Sequence, residues 1–158
     1  MKKIPEEIYR KINNSIYDTD GGRWWSTEFS LNLLRTLYNP FRVGYAKKII
    51  EQNIGLVAEE INVLEVGCGG GILTEEIAKL GFNTTGIDPS ESSLKAAIKH
   101  SMETNLKIKY KKASGENLPF HNSTFDVVLC CDVLEHVQDL PGVTSEISRV
   151  LKNGGVYI

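Results

Sequence analysis

Residues 63–71 read Val-Leu-Glu-Val-Gly-Cys-Gly-Gly-Gly, and Asp88 follows the first of those glycines by about one helix and one strand. This stretch constrains the fold more than any other. Val63, Leu64 and Val66 form a short apolar run without helical period, the pattern of a parallel strand buried on both faces. Gly67 and Gly69 then allow a tight turn and close backbone approach to a ligand. Ile72, Leu73, Ile77 and Leu80 recur at helical spacing, and Gly81 stops that helix. Residues 84–87 are short and β-rich, so Asp88 falls at the carboxyl end of a second strand, where ligands of open α/β sheets bind. A carboxylate there is placed for ribose hydroxyls. The spacing departs from the dinucleotide fingerprint, because Ile72 stands where a third glycine is needed. Glu65-x-Gly67-x-Gly69-x-Gly71 is a tighter set, preceded by an acid.

The remaining pattern extends this unit. Ile8, Ile12 and Ile16 predict a short amphipathic helix over 5–16. Residues 18–28 are polar and glycine-bearing around Trp24-Trp25. Leu31, Leu34 and Leu37 predict a second helix, Asn39-Pro40 a boundary, and residues 41–51 a third helix. Pro89-Ser90 opens a helix running to about Glu103, with Leu94, Ala97, Ile98 and Met102 as its apolar positions. Residues 106–111 alternate apolar and lysine, a half-buried strand with lysines outward. Residues 125–131 read as a fourth strand, 143–151 as a helix with Val143, Ile147, Val150 and Leu151 inward, and Gly154-Gly155 leads into a fifth strand. Strands alternating with helices imply an α/β fold, a Rossmann-like, doubly wound, mostly parallel sheet. The expected organisation is a helical cap over 1–54 and a nucleoside-cofactor domain over 55–158. The stop at Ile158, early in a strand, points to missing C-terminal strands.

With 158 residues the chain is long enough for one domain with a core. A net charge of −2 gives no global attraction to nucleic acid. Cys68, Cys130 and Cys131 are odd in number and badly placed for a disulfide framework, which favours a reducing compartment. The N-terminus lacks the apolar core of a secretion signal, and no run is apolar enough to span a bilayer.

Gly67, Gly69, Asp88, Leu118-Pro119-Phe120, Phe125-Asp126, Leu134-Glu135-His136 and Leu151-Lys152-x-Gly154-Gly155 occur in the order seen in class I S-adenosylmethionine-dependent methyltransferases, which the chain resembles. Trp24-Trp25 and Leu37-Tyr38-Asn39-Pro40-Phe41-Arg42-x-Gly44-Tyr45 narrow the resemblance to the ubiquinone-biosynthesis O-methyltransferases. The resemblance covers about residue 16 to the end. It implies S-adenosyl-L-methionine as cofactor and a phenolic or quinol-type small molecule as methyl acceptor. It places Arg42 on the methionyl carboxylate and Asp88 on the ribose. Glu65, Gly67, Cys68, Gly69 and Pro89 would line the cofactor from the glycine turn and second strand, and Ser114, Gly115, Glu116 and Cys131 would flank its adenine and sulfonium. Ser114 stands where many relatives carry an acid, Leu37-Tyr38 replaces a Leu-His pair, and residues 115–120 are more typical of the wider superfamily.

Asp132, Glu135 and His136 lie at i, i+3 and i+4, one face if that segment is helical. Two carboxylates and an imidazole form a donor set for Mg2+ or Zn2+, which would orient a catechol and lower its pKa. Without metal, His136 would serve as general base. The alternative is a structural turn. His100 and His121 read as plain surface residues. Trp24, Trp25, Phe29 and Tyr38 would wall an apolar acceptor pocket or simply pack the cap on the sheet. A prenylated acceptor calls for peripheral membrane contact, which the helix at 5–16 is placed to supply. The expected location is cytoplasm or mitochondrial matrix. Two other readings stay open: transfer to another small-molecule oxygen or nitrogen, and cofactor binding without catalysis. A dehydrogenase is disfavoured by Ile72.

Overall fold

A computed structural model of the chain describes residues 14–19, 23–28 and 32–158. The expected helix at 5–16, Leu31 and Phe29 therefore lie outside the described residues, apart from the last turn, which enters α1 (Ser15–Thr19).

Five strands form one sheet in the order β3-β2-β1-β4-β5: β1 (Asn62–Val66), β2 (Asn83–Asp88), β3 (Lys109–Lys112), β4 (Phe125–Leu129) and β5 (Leu151–Tyr157). Every adjacent pair is parallel. The order reverses direction between β1 and β4, so a crevice opens at their carboxyl ends. β1 sits centrally because its apolar run is buried on both sides. Val63 joins Val127 and Leu129 in a core shared with Ala46, Ile50, Leu73 and Ile77. Leu64 and Val66 join Val128, Val143, Ile147 and Val150 on the opposite face.

The helices are α2 (Asn39–Asn53), α3 (Ile72–Ala78), α4 (Glu91–Glu103) and α5 (Leu140–Val150). Ser90 caps α4 by accepting from the Ser93 amide at 3.3 Å, and Asp139 caps α5 by accepting from the Gly142 amide at 3.0 Å. In α5, Val143, Ile147 and Val150 face inward as their spacing predicts, while Leu151 already begins β5.

Several elements differ from the sequence expectation. β3 begins at Lys109 rather than at residue 106, and β4 ends at Leu129 rather than at residue 131. Asn39-Pro40 does not separate two helices. Residues 32–53 are continuously helical, because a π-turn over Leu34–Tyr38 carries the chain into α2. The Asn39 amide bonds the Leu34 carbonyl, five residues back, and the wider turn relieves the carbonyl clash that Pro40 would otherwise impose. In α4, Ile98 and Met102 are exposed, whereas Ser93 and Ser101 are buried beside Leu94 and Ala97. The small residues face inward because that side of α4 lies against the glycine turn. Gly71 has so little room there that an added Cβ would reach the Ala97 methyl at 3.0 Å. Finally, β5 starts before Gly154-Gly155. Its pairing with β4 shifts between Phe125↔Leu151 and Val127↔Val156, and Gly154 takes φ +79° within that irregularity. Lys152 spans it, donating to both Asp126 carboxylate oxygens at 2.9 Å.

Candidate functional site

The glycine turn is held by its backbone and by Asp88. The Cys68 amide donates to the Ile87 carbonyl at 2.8 Å, joining the turn to β2. The Asp88 carboxylate then accepts from the Gly69 amide and from the Ser90 amide, both at 2.8 Å. One side chain thus fixes the turn after β1 and the start of α4. Gly67, Gly69 and Gly71 take φ of 72°, 52° and 80°, conformations that glycine adopts without strain. Room is short as well: a Cβ on Gly67 would strike Val133, and one on Gly69 would come within 2.5 Å of the Trp24 ring.

Around this turn lies a cavity of about 540 Å³ at the carboxyl ends of β1, β2 and β4. Every residue that the sequence singled out for the cofactor lines it: Arg42, Glu65, Gly67, Cys68, Gly69, Asp88, Pro89, Ser114, Gly115, Glu116 and Cys131. The loop carrying Ser114–Glu116 is fixed from behind. The Leu118 amide donates to Glu146 at 2.7 Å, and Arg149 donates to the Leu118 and Phe120 carbonyls at 2.9 and 2.8 Å.

Electrostatics divide the lining. Glu65 is 4% exposed, and burial pushes its carboxyl up to about 8, against a hydrogen bond from the Thr74 hydroxyl at 2.5 Å that favours the anion. The nearby Asp88 charge raises it further, and Arg42 opposes. At neutral pH the cavity therefore holds a mostly neutral Glu65 beside the Asp88 carboxyl that grips two backbone amides. Burial likewise pushes the Cys131 thiol up to about 11, so it offers packing rather than a thiolate. The three cysteines are free.

The segment after β4 departs from the expected single face. Asp132 takes φ +56°, outside any helix, and only Leu134–His136 forms a 3-10 turn. The Asp132 carboxylate accepts from the Arg42 guanidinium at 2.6 Å. Asp132 and His136 line the cavity, whereas Glu135 does not. Among the described residues no three His, Cys, Asp or Glu side chains gather closely enough to hold a metal ion. The donor set for Mg2+ or Zn2+ is thus not assembled in this geometry, because Asp132 is committed to Arg42 and a left-handed residue turns Glu135 away. Arg42 itself also lies 5.7 Å over the Tyr38 ring, and its remaining donors are free to meet a carboxylate.

The sequence has Trp24 walling a pocket or packing the cap, whereas Tyr17, Asn39 and Ser90 carry no such signal; all four line the cavity. The Trp24 indole donates to Ser93 at 2.9 Å, and the Trp25 indole donates to the Gly70 carbonyl at 2.9 Å. Trp24 thus lies on the glycine turn, while Trp25 stacks on His100 at 3.4 Å. His100 is no plain surface residue, since its Nδ1 also meets the buried Glu75 carboxylate at 2.8 Å. Tyr38 is half exposed and away from the cavity lining. The only sequence signal for this cover was the Trp24-Trp25 pair within a polar stretch. Replacing Gly70 by alanine tests the cover. Its Cβ would run into Trp24, so overpacking of about 1–3 kcal/mol should loosen the segment. Limited trypsin digestion should then cut after Arg23 several-fold faster than in wild type.

The geometry has counterparts among known proteins. The family model described as "Methyltransferase domain" matches residues 64–158. The ubiquinone biosynthesis O-methyltransferase of Colwellia psychrerythraea is 38% identical over 150 residues, covering 89% of this chain and 59% of that protein. The protein of that name from Cronobacter sakazakii is 37% identical over 140 residues, covering 88% and 55%. The chain thus spans between 55% and 59% of the length of these two curated relatives. Among solved structures, a putative S-adenosyl-L-methionine-dependent methyltransferase from Methanococcus maripaludis matches with a TM-score of 0.69 at 26% identity, covering 80% of this chain and 57% of that one. No helix among the described residues is long and apolar enough to cross a membrane. By its glycine turn, its strand order and the match across residues 64–158, the chain belongs to the methyltransferase-domain family and carries the class I methyltransferase fold.

Proposed function

We propose that the chain binds S-adenosyl-L-methionine across the carboxyl edge of β1, β2 and β4 and transfers its methyl group to a phenolic or quinol-type oxygen of a small molecule. The observation that carries this reading is the convergence of Glu65, Asp88, Arg42 and His136 on one cavity bounded by the glycine turn. Asp88 stands at the end of β2, where a carboxylate can meet ribose hydroxyls, and Arg42 can offer guanidinium donors to the methionyl carboxylate. The names of the Colwellia and Cronobacter relatives favour a step in ubiquinone biosynthesis. In this reading residues 1–54 form the cap and residues 55–158 the cofactor domain, with cytoplasm or mitochondrial matrix as the setting.

The cofactor supplies an electrophilic methyl on sulfur. The chain must hold the acceptor oxygen in line with it and take its proton. A phenol is mostly neutral at pH 7, so a base raises the fraction of anion at the moment of attack. His136 is the imidazole that lines the cavity among the described residues. Metal assistance would first require Asp132 to leave Arg42 and Glu135 to turn inward, so the reading rests on His136.

The test is methyl transfer from S-adenosylmethionine to 3,4-dihydroxybenzoate, with and without EDTA. Turnover unaffected by EDTA and lowered about 100-fold in kcat by His136→Ala is expected, the range for loss of a general base. Turnover abolished by EDTA would move the chemistry to a metal. An active chain that ignores catechols but methylates an amine would move the acceptor to nitrogen.

A further inference from the structure

The cover over the cavity ends in a contact with His136. The Tyr17 hydroxyl lies 3.4 Å from His136 Nε2, and its ring meets the imidazole edge-on at 5.6 Å. The other face of Tyr17 stacks on Trp24, with ring centres 6.0 Å apart and planes 15° from parallel. The backbone around it is tied on both sides of the cavity. The Tyr17 carbonyl accepts from the hydroxyls of Ser90, Ser92 and Ser93 at 3.1–3.2 Å, on the cofactor side. The Asn14 side-chain amide donates to the His136 carbonyl at 3.1 Å, on the acceptor side.

His136 Nδ1 is buried and meets no partner among the described residues. Nε2 is therefore the one ring nitrogen able to exchange a proton with a molecule in the cavity, and that nitrogen is where Tyr17 sits. On the reading above, in which His136 takes the acceptor proton, Nε2 must carry a lone pair. A hydroxyl donating to it selects that tautomer.

We propose that Tyr17 is a positioning residue whose hydroxyl caps His136 Nε2, holds the imidazole in the tautomer that can accept a proton, and latches the 14–19 segment across the cavity until an acceptor hydroxyl replaces it. The capped state closes the cavity by joining the α4 start to the turn after β4. Acceptor exchange for the phenol is a swap of like for like, one aromatic hydroxyl for another. This fits the phenolic acceptor class: a phenol reproduces both the hydrogen bond and the aromatic contact that Tyr17 gives up.

Two measurements on the chain test this. The first needs no ligand: long-range 1H–15N correlation spectra of histidine-labelled chain, wild type and Tyr17→Phe. Wild-type His136 should show the Nδ1-protonated tautomer, and Tyr17→Phe should shift it toward Nε2-protonated, with an unchanged melting temperature showing that the ring still packs. The second is stopped-flow release of S-adenosylhomocysteine. Tyr17→Phe should speed release about fivefold, the equivalent of one hydrogen bond. His136→Ala should do likewise, and the double variant should go no faster, because both remove one contact. An identical His136 tautomer in Tyr17→Phe, or additive effects in the double variant, would overturn the latch. A wild-type chain that fails to bind S-adenosylhomocysteine would overturn the proposed function instead, and the ligand-free spectra would still decide the role of Tyr17.

Discussion

Asp88→Ala should weaken S-adenosylmethionine binding by about 100-fold or more and destabilise the chain by about 2–4 kcal/mol. Both effects follow from one buried carboxylate with two tasks. Its oxygens accept from the Gly69 and Ser90 amides at 2.8 Å, and the residue is 9% exposed. Truncation leaves two buried amides without their acceptor, each costing about 1–3 kcal/mol. The glycine turn is then free to drift from α4, so the cofactor loses a preformed cradle as well as its ribose acceptor. Asp88→Asn separates the two tasks. An amide oxygen can keep one backbone bond, so most of the stability should return while affinity stays reduced. Calorimetric titration and thermal unfolding of both variants check this. Equal affinity in wild type and Asp88→Ala would remove Asp88 from the site.

The second large effect is a pH dependence set by Glu65. Its carboxyl is raised from 4.5 to about 8, chiefly by burial. The folded chain therefore prefers the protonated acid more strongly than the unfolded chain does. The associated stability is fully present below pH 4.5. It is lost progressively as pH rises toward about 8, where the folded form ionises as well, at up to about 1.4 kcal/mol per pH unit. Glu65→Gln keeps the shape and the neutral charge at every pH. The variant should lose much less stability than wild type between pH 5 and 8 in urea titrations. A parallel decline in both would show that Glu65 titrates normally. The shift also bears on function, since a cofactor with a positive sulfonium and ammonium would favour the ionised acid. Affinity for S-adenosylmethionine should then rise with pH up to about 8 in wild type and stay flat in Glu65→Gln.

What the sequence made legible is what backbone geometry writes into it. β1 is readable because a strand covered on both faces must be apolar throughout, and the turn is readable because Gly67, Gly69 and Gly71 all take positive φ. Asp88 follows from those two. The cover was hidden for the opposite reason. Tyr17 and Trp24 are placed by bonds to Ser90, Ser92 and Ser93, residues with no periodic signature, 69 or more positions away. Asp132 misled the reading of its segment because aspartate tolerates the left-handed region without glycine's advertisement of it. The inward serines of α4 misled because a helix packed on a backbone turn selects small side chains over apolar ones.

On the proposed function, a sulfonium nucleoside lies across the carboxyl ends of β1, β2 and β4. A crystal structure of the chain with S-adenosylhomocysteine tests it most directly. The expected result is ribose hydroxyls within about 3 Å of the Asp88 carboxylate, the amino-acid tail between Glu65 and Arg42, and the sulfur facing His136. Nucleoside density elsewhere on the molecule, or a cavity still empty at saturating ligand, would contradict it.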